Sequence, residues 1–352
     1  MPKITIDDLC RHIAEDKNYF FSNGFFYNGV GELMSREEFR KSIAFRYAKY
    51  KVDDVDRFEE TVCEFNPKAG YNPREIYLDS LKTVKGECWL LGWLKVQYPY
   101  ITWEQVLYDL IMHKSEKVYI LYGVMEAGKS KVLDILKMIF GQFTKPMTID
   151  QLSNRFNLGE VIGKLFIVGD DLGKENFGSV VGLIKSMATG ETIALERKFM
   201  HSIDCKNEAN FAFGTNQMPY LDINDDGVLR RFIILRFDKK MKLPCEDYQE
   251  FLRTYMTEVE AQKLLYQISK VKFDPKYMQK LTIESQVYML TQSPVYQANT
   301  DVYDDYKTYC IKNGFKPYHK DNWDKVKKSI KDIVLTQPMI PLPESEQLEL
   351  PF

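Results

Sequence analysis

A chain of 352 residues that is 45% hydrophobic and 14% aromatic is too apolar to be disordered and long enough for two or three domains. Its formal net charge of −2 excludes a protein that coats nucleic acid with its whole surface, so any such contact has to be local. No run approaches the roughly 18 apolar residues of a membrane span, and the start Met1-Pro2-Lys3-Ile4-Thr5-Ile6-Asp7-Asp8 does not read as a secretory leader, so a soluble, cytoplasmic protein with no membrane partner is expected.

Residues 1–70 read as a small α+β unit, because Tyr19-Phe20-Phe21-Ser22 and Phe25-Phe26-Tyr27-Asn28 flank Asn23-Gly24, the pair that favours a two-residue hairpin turn. Residues 71–116 have helical periodicity, with Trp89, Leu90, Leu91, Trp93 and Leu94 as a core-packing face. From 117 to 240 strands alternate with helices, which predicts an α/β core with a parallel sheet. The six cysteines are scattered without C-x-x-C pairs and the four histidines lack ligand spacing, so reduced thiols and no protein-built metal centre are expected.

Within that core, Val118-Tyr119-Ile120-Leu121-Tyr122 reads as a buried strand. Gly123-Val124-Met125-Glu126-Ala127-Gly128-Lys129-Ser130, a G-x-x-x-x-G-K-S loop, follows it directly, and an apolar helix through Val132, Leu133, Ile135, Leu136, Met138 and Ile139 ends near Gly141. Strand, glycine loop and helix start aim backbone N–H groups at one point, where the helix dipole adds partial positive charge. Such a nest suits the phosphates of ATP. Lys129 would reach the β- and γ-phosphates, the Ser130 hydroxyl would ligate Mg²⁺, and Lys131 closes the binding stretch.

Next, Lys164-Leu165-Phe166-Ile167-Val168-Gly169 is an apolar strand ending in Asp170 and Asp171. Acids at that end of a parallel strand can hold Mg²⁺ or polarise the attacking water; Asp170 is favoured as the base-like acid and Asp171 as the metal-side one, with the reverse open. Asn210-Phe211-Ala212-Phe213-Gly214 then leads through Thr215 to Asn216, whose amide can bond the γ-phosphate or the lytic water. Arg230 and Arg231, just before the strand Phe232-Ile233-Ile234-Leu235, suit a finger that stabilises transition-state charge on a neighbouring subunit's nucleotide. Residues 241–335 read as a helical domain compatible with a winged-helix arrangement, and 336–352 as a proline-broken acidic tail.

These pieces, in this order between Gly123 and Arg231, resemble superfamily 3 helicases, the AAA+ replicative helicases of small DNA viruses, phages and plasmids, and in particular the helicase portion of phage-type primase-helicases. The resemblance implies an ATP-dependent, Mg²⁺-using, hexameric ring that moves on single-stranded or forked DNA during replication of a phage or mobile element. An AAA+ initiator or loader that remodels DNA without processive unwinding is the alternative, and a nucleotide-dependent scaffold is a third. It also implies that the stretch from Ile184-Lys185 to Phe199 forms a pore hairpin, with Lys198 at its tip, Phe199 and His201 beside it, and Lys185 among the DNA-contacting residues. The departures are Lys131, where a second small hydroxyl residue is frequent, and Glu126, a negative charge inside the loop. The last residues, Gln347-Leu348-Glu349-Leu350-Pro351-Phe352, are similar to the peptides by which bacterial replication proteins dock on the polymerase sliding clamp, with Gln347, Leu348, Leu350 and Phe352 as the contacting side chains.

Overall fold

The structure, a computed structural model, describes residues 19–46, 59, 62–63, 68, 70–148, 151–152, 154, 157–169, 177–197, 200–218, 226–313 and 315–334. The chain enters as an aromatic hairpin of β1 (Tyr19–Ser22) and β2 (Phe25–Asn28), to which β3 (Leu33–Met34) adds in antiparallel order. Asn23 and Gly24 both take positive φ, 45° and 89°, as the expected two-residue turn requires. Helix α1 (Arg36–Arg46) closes this small sheet by stacking Phe39 on Phe26, with ring centres 4.0 Å apart. Three helices follow, α2 (Pro73–Ser80), α3 (Trp89–Gln97) and α4 (Trp103–Ile111). Asn72 caps α2 by accepting from Glu75 N, with Pro73 at the first helical position.

The central sheet comprises β4 (Val118–Gly123), β5 (Thr144–Pro146), β6 (Phe166–Gly169), β9 (Asn210–Thr215) and β10 (Phe232–Phe237), with α5 (Lys129–Phe140), α6 (Phe177–Ala188), a separate two-stranded hairpin of β7 (Thr192–Arg197) and β8 (Met200–Lys206), and α7 (Asp226–Arg231) in its connections. Its spatial order is β10-β4-β9-β6-β5 and every neighbouring pair is parallel. The protein is therefore an α/β fold with a five-stranded parallel sheet. Such a sheet must be covered on both faces, and the period of two along β4 shows how this chain does it. Tyr119 and Leu121 join a cluster with α3, α4 and α5, whereas Val118 and Ile120 join a second cluster with α6 and α7. Both clusters are completed by the helices after the sheet: α8 (Tyr248–Tyr255), α9 (Glu258–Ile268), α10 (Pro275–Thr291), α11 (Pro294–Gln297), α12 (Tyr303–Lys312) and α13 (Lys320–Val334). Phe251 and Leu264 reach the first cluster, and Met289, Tyr306 and Trp323 the second. The region that sequence marks as a helical domain is thus packed on both faces of the sheet, and among the described residues it contains no strand of a wing.

Buried polar groups fasten these layers at the N-terminal edge of the sheet. Arg74 of α2, 2% exposed, donates to Ile111 O (3.1 Å), Leu165 O (2.7 Å) and Glu208 O (2.8 Å), and its guanidinium lies 5.2 Å from the centre of the Phe140 ring. Burial pulls Arg74 down to about 10, still charged at neutral pH. Beside it, Asn210 donates to Leu110 O and His113 O (both 2.8 Å) and accepts from Ser115 N (2.8 Å), while the Asp109 carboxylate accepts from His113, Ser115 and Tyr119. Lys114 donates to Ser115 O (2.9 Å) and to Ala188 O (3.2 Å) at the end of α6. Cys88, Cys205 and Cys310 are buried cysteines, and no helix among the described residues is long and apolar enough to cross a membrane.

Two stability predictions follow from these contacts. Arg74→Leu removes a buried guanidinium that bonds Ile111 O, Leu165 O and Glu208 O, so it should cost about 2 kcal/mol or more in urea unfolding; a loss under about 1 kcal/mol would show that water replaces the guanidinium. Burial, with Arg74 nearby, pulls Lys114 down to about 7. The unfolded chain keeps that proton to about 10.4, so between roughly pH 7 and 10 the folded state has released a proton that the unfolded state still holds, and stability rises with pH. Lys114→Met should therefore gain most over the wild type at pH 7 and least at pH 10; parallel pH curves for the two proteins would refute the assignment.

Candidate nucleotide-binding site

Topology fixes where the motifs meet. β4 lies between β9 and β10, and the chain leaves it first toward β5 at the far edge and later crosses to β10 on its other side. In open α/β sheets such a reversal opens a crevice outside the carboxyl ends of the strands. Gly123, Thr215 and Phe237 all stand at that end, since Tyr122 is level with Thr215 and Gly123 with Phe237. The chain also leaves β6 there, at Gly169.

The loop after β4 is held at closer quarters than its sequence reveals. Gly123 has φ 155°, and a Cβ built on it would lie 1.9 Å from Phe237 O. The next N–H, of Val124, donates to that same carbonyl at 2.9 Å. Farther along, Met241 N donates to Glu126 O (2.8 Å) and the Tyr98 hydroxyl bonds both Ala127 O (3.3 Å) and Lys239 O (3.1 Å). Gly128, at φ 86°, caps α5, and a Cβ there would lie 2.6 Å from Trp93 Cη2. The apex Val124-Met125-Glu126 is exposed, as is Ser130 in the first turn of α5. Glu126 does not leave an uncompensated charge in the loop: the Lys240 ammonium sits 2.9 Å from its carboxylate and lowers its pKa.

Lys129 is 8% exposed and its three ammonium protons meet three oxygens, Gly123 O (3.0 Å), Val124 O (2.6 Å) and Asn216 Oδ1 (2.8 Å). Two residues 87 positions apart thereby share one site. The Thr215 hydroxyl donates to Gln217 O (2.7 Å) and accepts from Gln217 N (3.1 Å), which turns the chain sharply at the end of β9 and presents Asn216 to the loop. Lys131 pairs with Asp134 (3.5 Å), away from the loop apex.

Arg230 and Arg231 stand at the other end. They precede Phe232, which is level with Val118, so about six residues of strand, roughly 20 Å, separate them from the loop of their own chain. Arg231 donates to Gly227 O (3.3 Å) and Lys117 Nζ donates to Arg230 O (2.7 Å). The hairpin implied by the resemblance is present as β7 and β8, with Arg197 paired to Met200 and two residues between them. Those two, Lys198 and Phe199, lie outside the described residues, as do Asp170, Asp171 and the tail with Gln347, Leu348, Leu350 and Phe352. His201 lies in β8, and Lys185 is half-buried on α6 rather than on the hairpin. Among the described residues no group of three or more His, Cys, Asp or Glu could hold a metal ion. Of the two side chains that sequence assigns to a metal, Ser130 is described and its residue is exposed, while Asp171 is not described.

Sequence reading missed Trp93, Tyr98, Lys240 and Met241. The available signal was the run Asp238-Lys239-Lys240-Met241-Lys242: a segment leaving a strand parallel to β4 emerges at the same end as the loop.

Residues 121–231, from inside β4 to the end of α7, match a family described as a family of unknown function, DUF5906. A DNA primase-polymerase of Nitratiruptor phage NrS-1 is 28% identical over 161 residues, 44% of this chain but 22% of that protein, so the match spans about a fifth of its length. The apo structure of the NrS-1 C-terminal region aligns over 91% of this chain and 85% of its own, with 17% identity and a TM-score of 0.53, a likeness of fold. A JCV helicase structure aligns over 80% of this chain and 75% of its own at 14% identity, with a TM-score of 0.39.

The close approach at Gly123 is testable against a permissive glycine. Gly182 in α6 has nothing within 4 Å of a built Cβ. Gly182→Ala should leave the thermal midpoint unchanged or raise it, by up to about 1 kcal/mol of helix propensity, whereas Gly123→Ala should destabilise by more than about 2 kcal/mol through the clash with Phe237. Equal midpoints for the two variants would sink the argument.

Proposed function

We propose that this protein is an ATP-dependent, ring-forming DNA helicase of the superfamily 3 type, which hydrolyses ATP with Mg²⁺ and moves on single-stranded DNA in phage or mobile-element replication. The observation that carries the reading is the bond between Lys129 Nζ and Asn216 Oδ1 at 2.8 Å. With Oδ1 committed to the ammonium, the two amide N–H donors of Asn216 are directed away from it, where they can bond a γ-phosphate oxygen or the attacking water. Lys129 would neutralise charge on the phosphates, and the loop N–H groups with the α5 dipole would hold them in place. Asp170 and Asp171, the two residues that follow β6, would supply the acid that polarises water and the acid on the Mg²⁺ side. ATP bound with Mg²⁺ brings the scissile phosphoanhydride; the chain's part is to orient it and to shield its charge.

The 20 Å scale that keeps Arg231 from its own loop favours a site completed by a second subunit, hence a ring. In the proposed ring the β7–β8 hairpin carries Lys198 and Phe199 toward DNA, where a lysine meets phosphate and an aromatic meets a base or sugar. The NrS-1 primase-polymerase similarity supports a replication role for the matched portion. Docking of the tail on a sliding clamp remains a separate proposal, read from Gln347 to Phe352 alone.

Steady-state hydrolysis with and without single-stranded DNA tests the motor. Lys129→Ala and Arg231→Ala should each lower ATP turnover by at least about 10²-fold. Mixing Arg231→Ala with Asp171→Asn subunits should restore part of the activity, because some interfaces regain both groups. Turnover that adds up only to the two separate residues' losses would rule out shared sites, and undiminished hydrolysis by Lys129→Ala would rule out the mechanism.

A further inference from the structure

The phosphate loop accounts for a polyphosphate but not for the nucleoside attached to it. Helix positions 128 and 131 are one turn apart and face the same side. On that side two residues of the segment after β10 touch them. Met241 Sδ stands 3.1 Å from a Cβ built on Gly128, and Lys131 Nζ lies 5.4 Å from the centre of the Tyr248 ring. One ring face is taken by Phe251, with centres 6.2 Å apart and planes 28° from parallel. Tyr248 is nevertheless 46% exposed, so part of the ring is open to solvent.

We propose that the exposed part of the Tyr248 ring, with Met241 on the same side of α5, is where the base of the nucleotide stacks. The proposal rests on the nucleotide reading of the loop. The placement is rigid where it needs to be. Met241 N is bonded to Glu126 O and Lys239 O to Tyr98, so the segment is fastened along the loop, and Asp247 caps α8 by accepting from Gln249 N at 2.8 Å. The Lys131 ammonium, 3.5 Å from the Asp134 carboxylate, stands 5.4 Å from the centre of the ring and draws on its π electrons from one side. That gives a role to a lysine where a small hydroxyl residue is frequent. An aromatic face and a thioether attract any flat base by stacking and dispersion, so the site adds affinity for a nucleoside without adding any for phosphate.

Calorimetry of the full chain with Mg²⁺ and two ligands, ATP and inorganic tripolyphosphate, separates the two contributions. Tyr248→Ala, and Tyr248→Leu, which keeps an apolar side chain over Phe251 without an aromatic face, should each raise the Kd for ATP about 10-fold while the Kd for tripolyphosphate stays the same. Tyr248→Phe should retain both affinities. An unchanged ATP affinity in the Ala and Leu variants, or an equal loss for both ligands, would overturn the proposal. Lys129→Ala tests the reading beneath it and should lose both ligands together. Tripolyphosphate binding untouched by Lys129→Ala would bring down the phosphate-loop reading and this proposal with it, whereas failure confined to the Tyr248 variants touches the base site alone.

Discussion

The approach of the Gly123 backbone to the Phe237 carbonyl governs the site. Strand β4 ends level with the last residue of β10, and the loop must pass over that residue before turning into α5. A single side-chain carbon at Gly123 would occupy the space of Phe237 O. Because the loop is bonded to β10 at Val124 and to the following segment at Glu126, its shape is a property of three stretches of chain. The third is α3, whose Trp93 lies against Gly128. Helix α3 is itself held from outside, since Glu260 of α9 accepts from Trp89 N at 2.7 Å and Gln267 accepts from Cys88 N at 2.8 Å. The first free N–H groups of α3 are thereby satisfied by a helix some 170 residues later, and a negative charge stands at its positive end.

The two ends of the sheet do different work. At the carboxyl end the chain is lined by backbone and by an apex open to solvent. At the amino end, buried polar side chains satisfy one another. Burial pushes the Asp109 carboxyl up, but hydrogen bonds from His113, Ser115 and Tyr119 outweigh it and hold the group below the ordinary carboxylate range, so it stays ionised. Asn210 and Arg74 then tie the ends of α4, the approach to β6 and the link between β8 and β9 to a common frame. The aromatic hairpin joins the same frame: Asn23 accepts from Lys206 N at 2.7 Å and donates to Glu208, at the base of the β7–β8 hairpin. A rigid amino end lets the carboxyl end carry a loop whose glycines have little intrinsic stability of their own.

What the sequence reveals of this arrangement divides along a physical line. The strand, loop and helix around Gly123–Ser130, the strands before Asp170 and Asn216, and the Asn23-Gly24 turn are all local: periodicity, turn chemistry and capping determine them within a dozen residues. The meeting of Lys129 with Asn216 is legible only once strand order is fixed, because it depends on β9 rather than β6 lying beside β4. Trp93 reads as ordinary core, and it is fully buried core, yet its ring edge also sets the space at Gly128. Glu126 reads as a liability because its partner Lys240 lies 114 residues away. Periodicity also suggests a separate domain after residue 241, but it cannot tell a helix that packs on its own neighbours from one that packs on a sheet.

Strand direction settles one question that side-chain chemistry leaves open. In a parallel pair, a residue just before one strand and a residue just after its neighbour are separated by the full strand length whatever their side chains are. Arg231 precedes β10 and Gly123 ends β4, and β10 and β4 are parallel and in register over all six residues. An arginine side chain cannot cross about 20 Å of sheet, and Arg231 instead bonds the turn of helix that carries it, at Gly227 O. A change of rotamer would not bring it to the loop after β4 of the same chain; only a reversal of β10 would, and β10 runs parallel to β4 along its whole length. Whatever charge Arg231 serves therefore lies on the amino-end side of the molecule, and a phosphate bound at the carboxyl end can reach it only if it belongs to another copy of the chain.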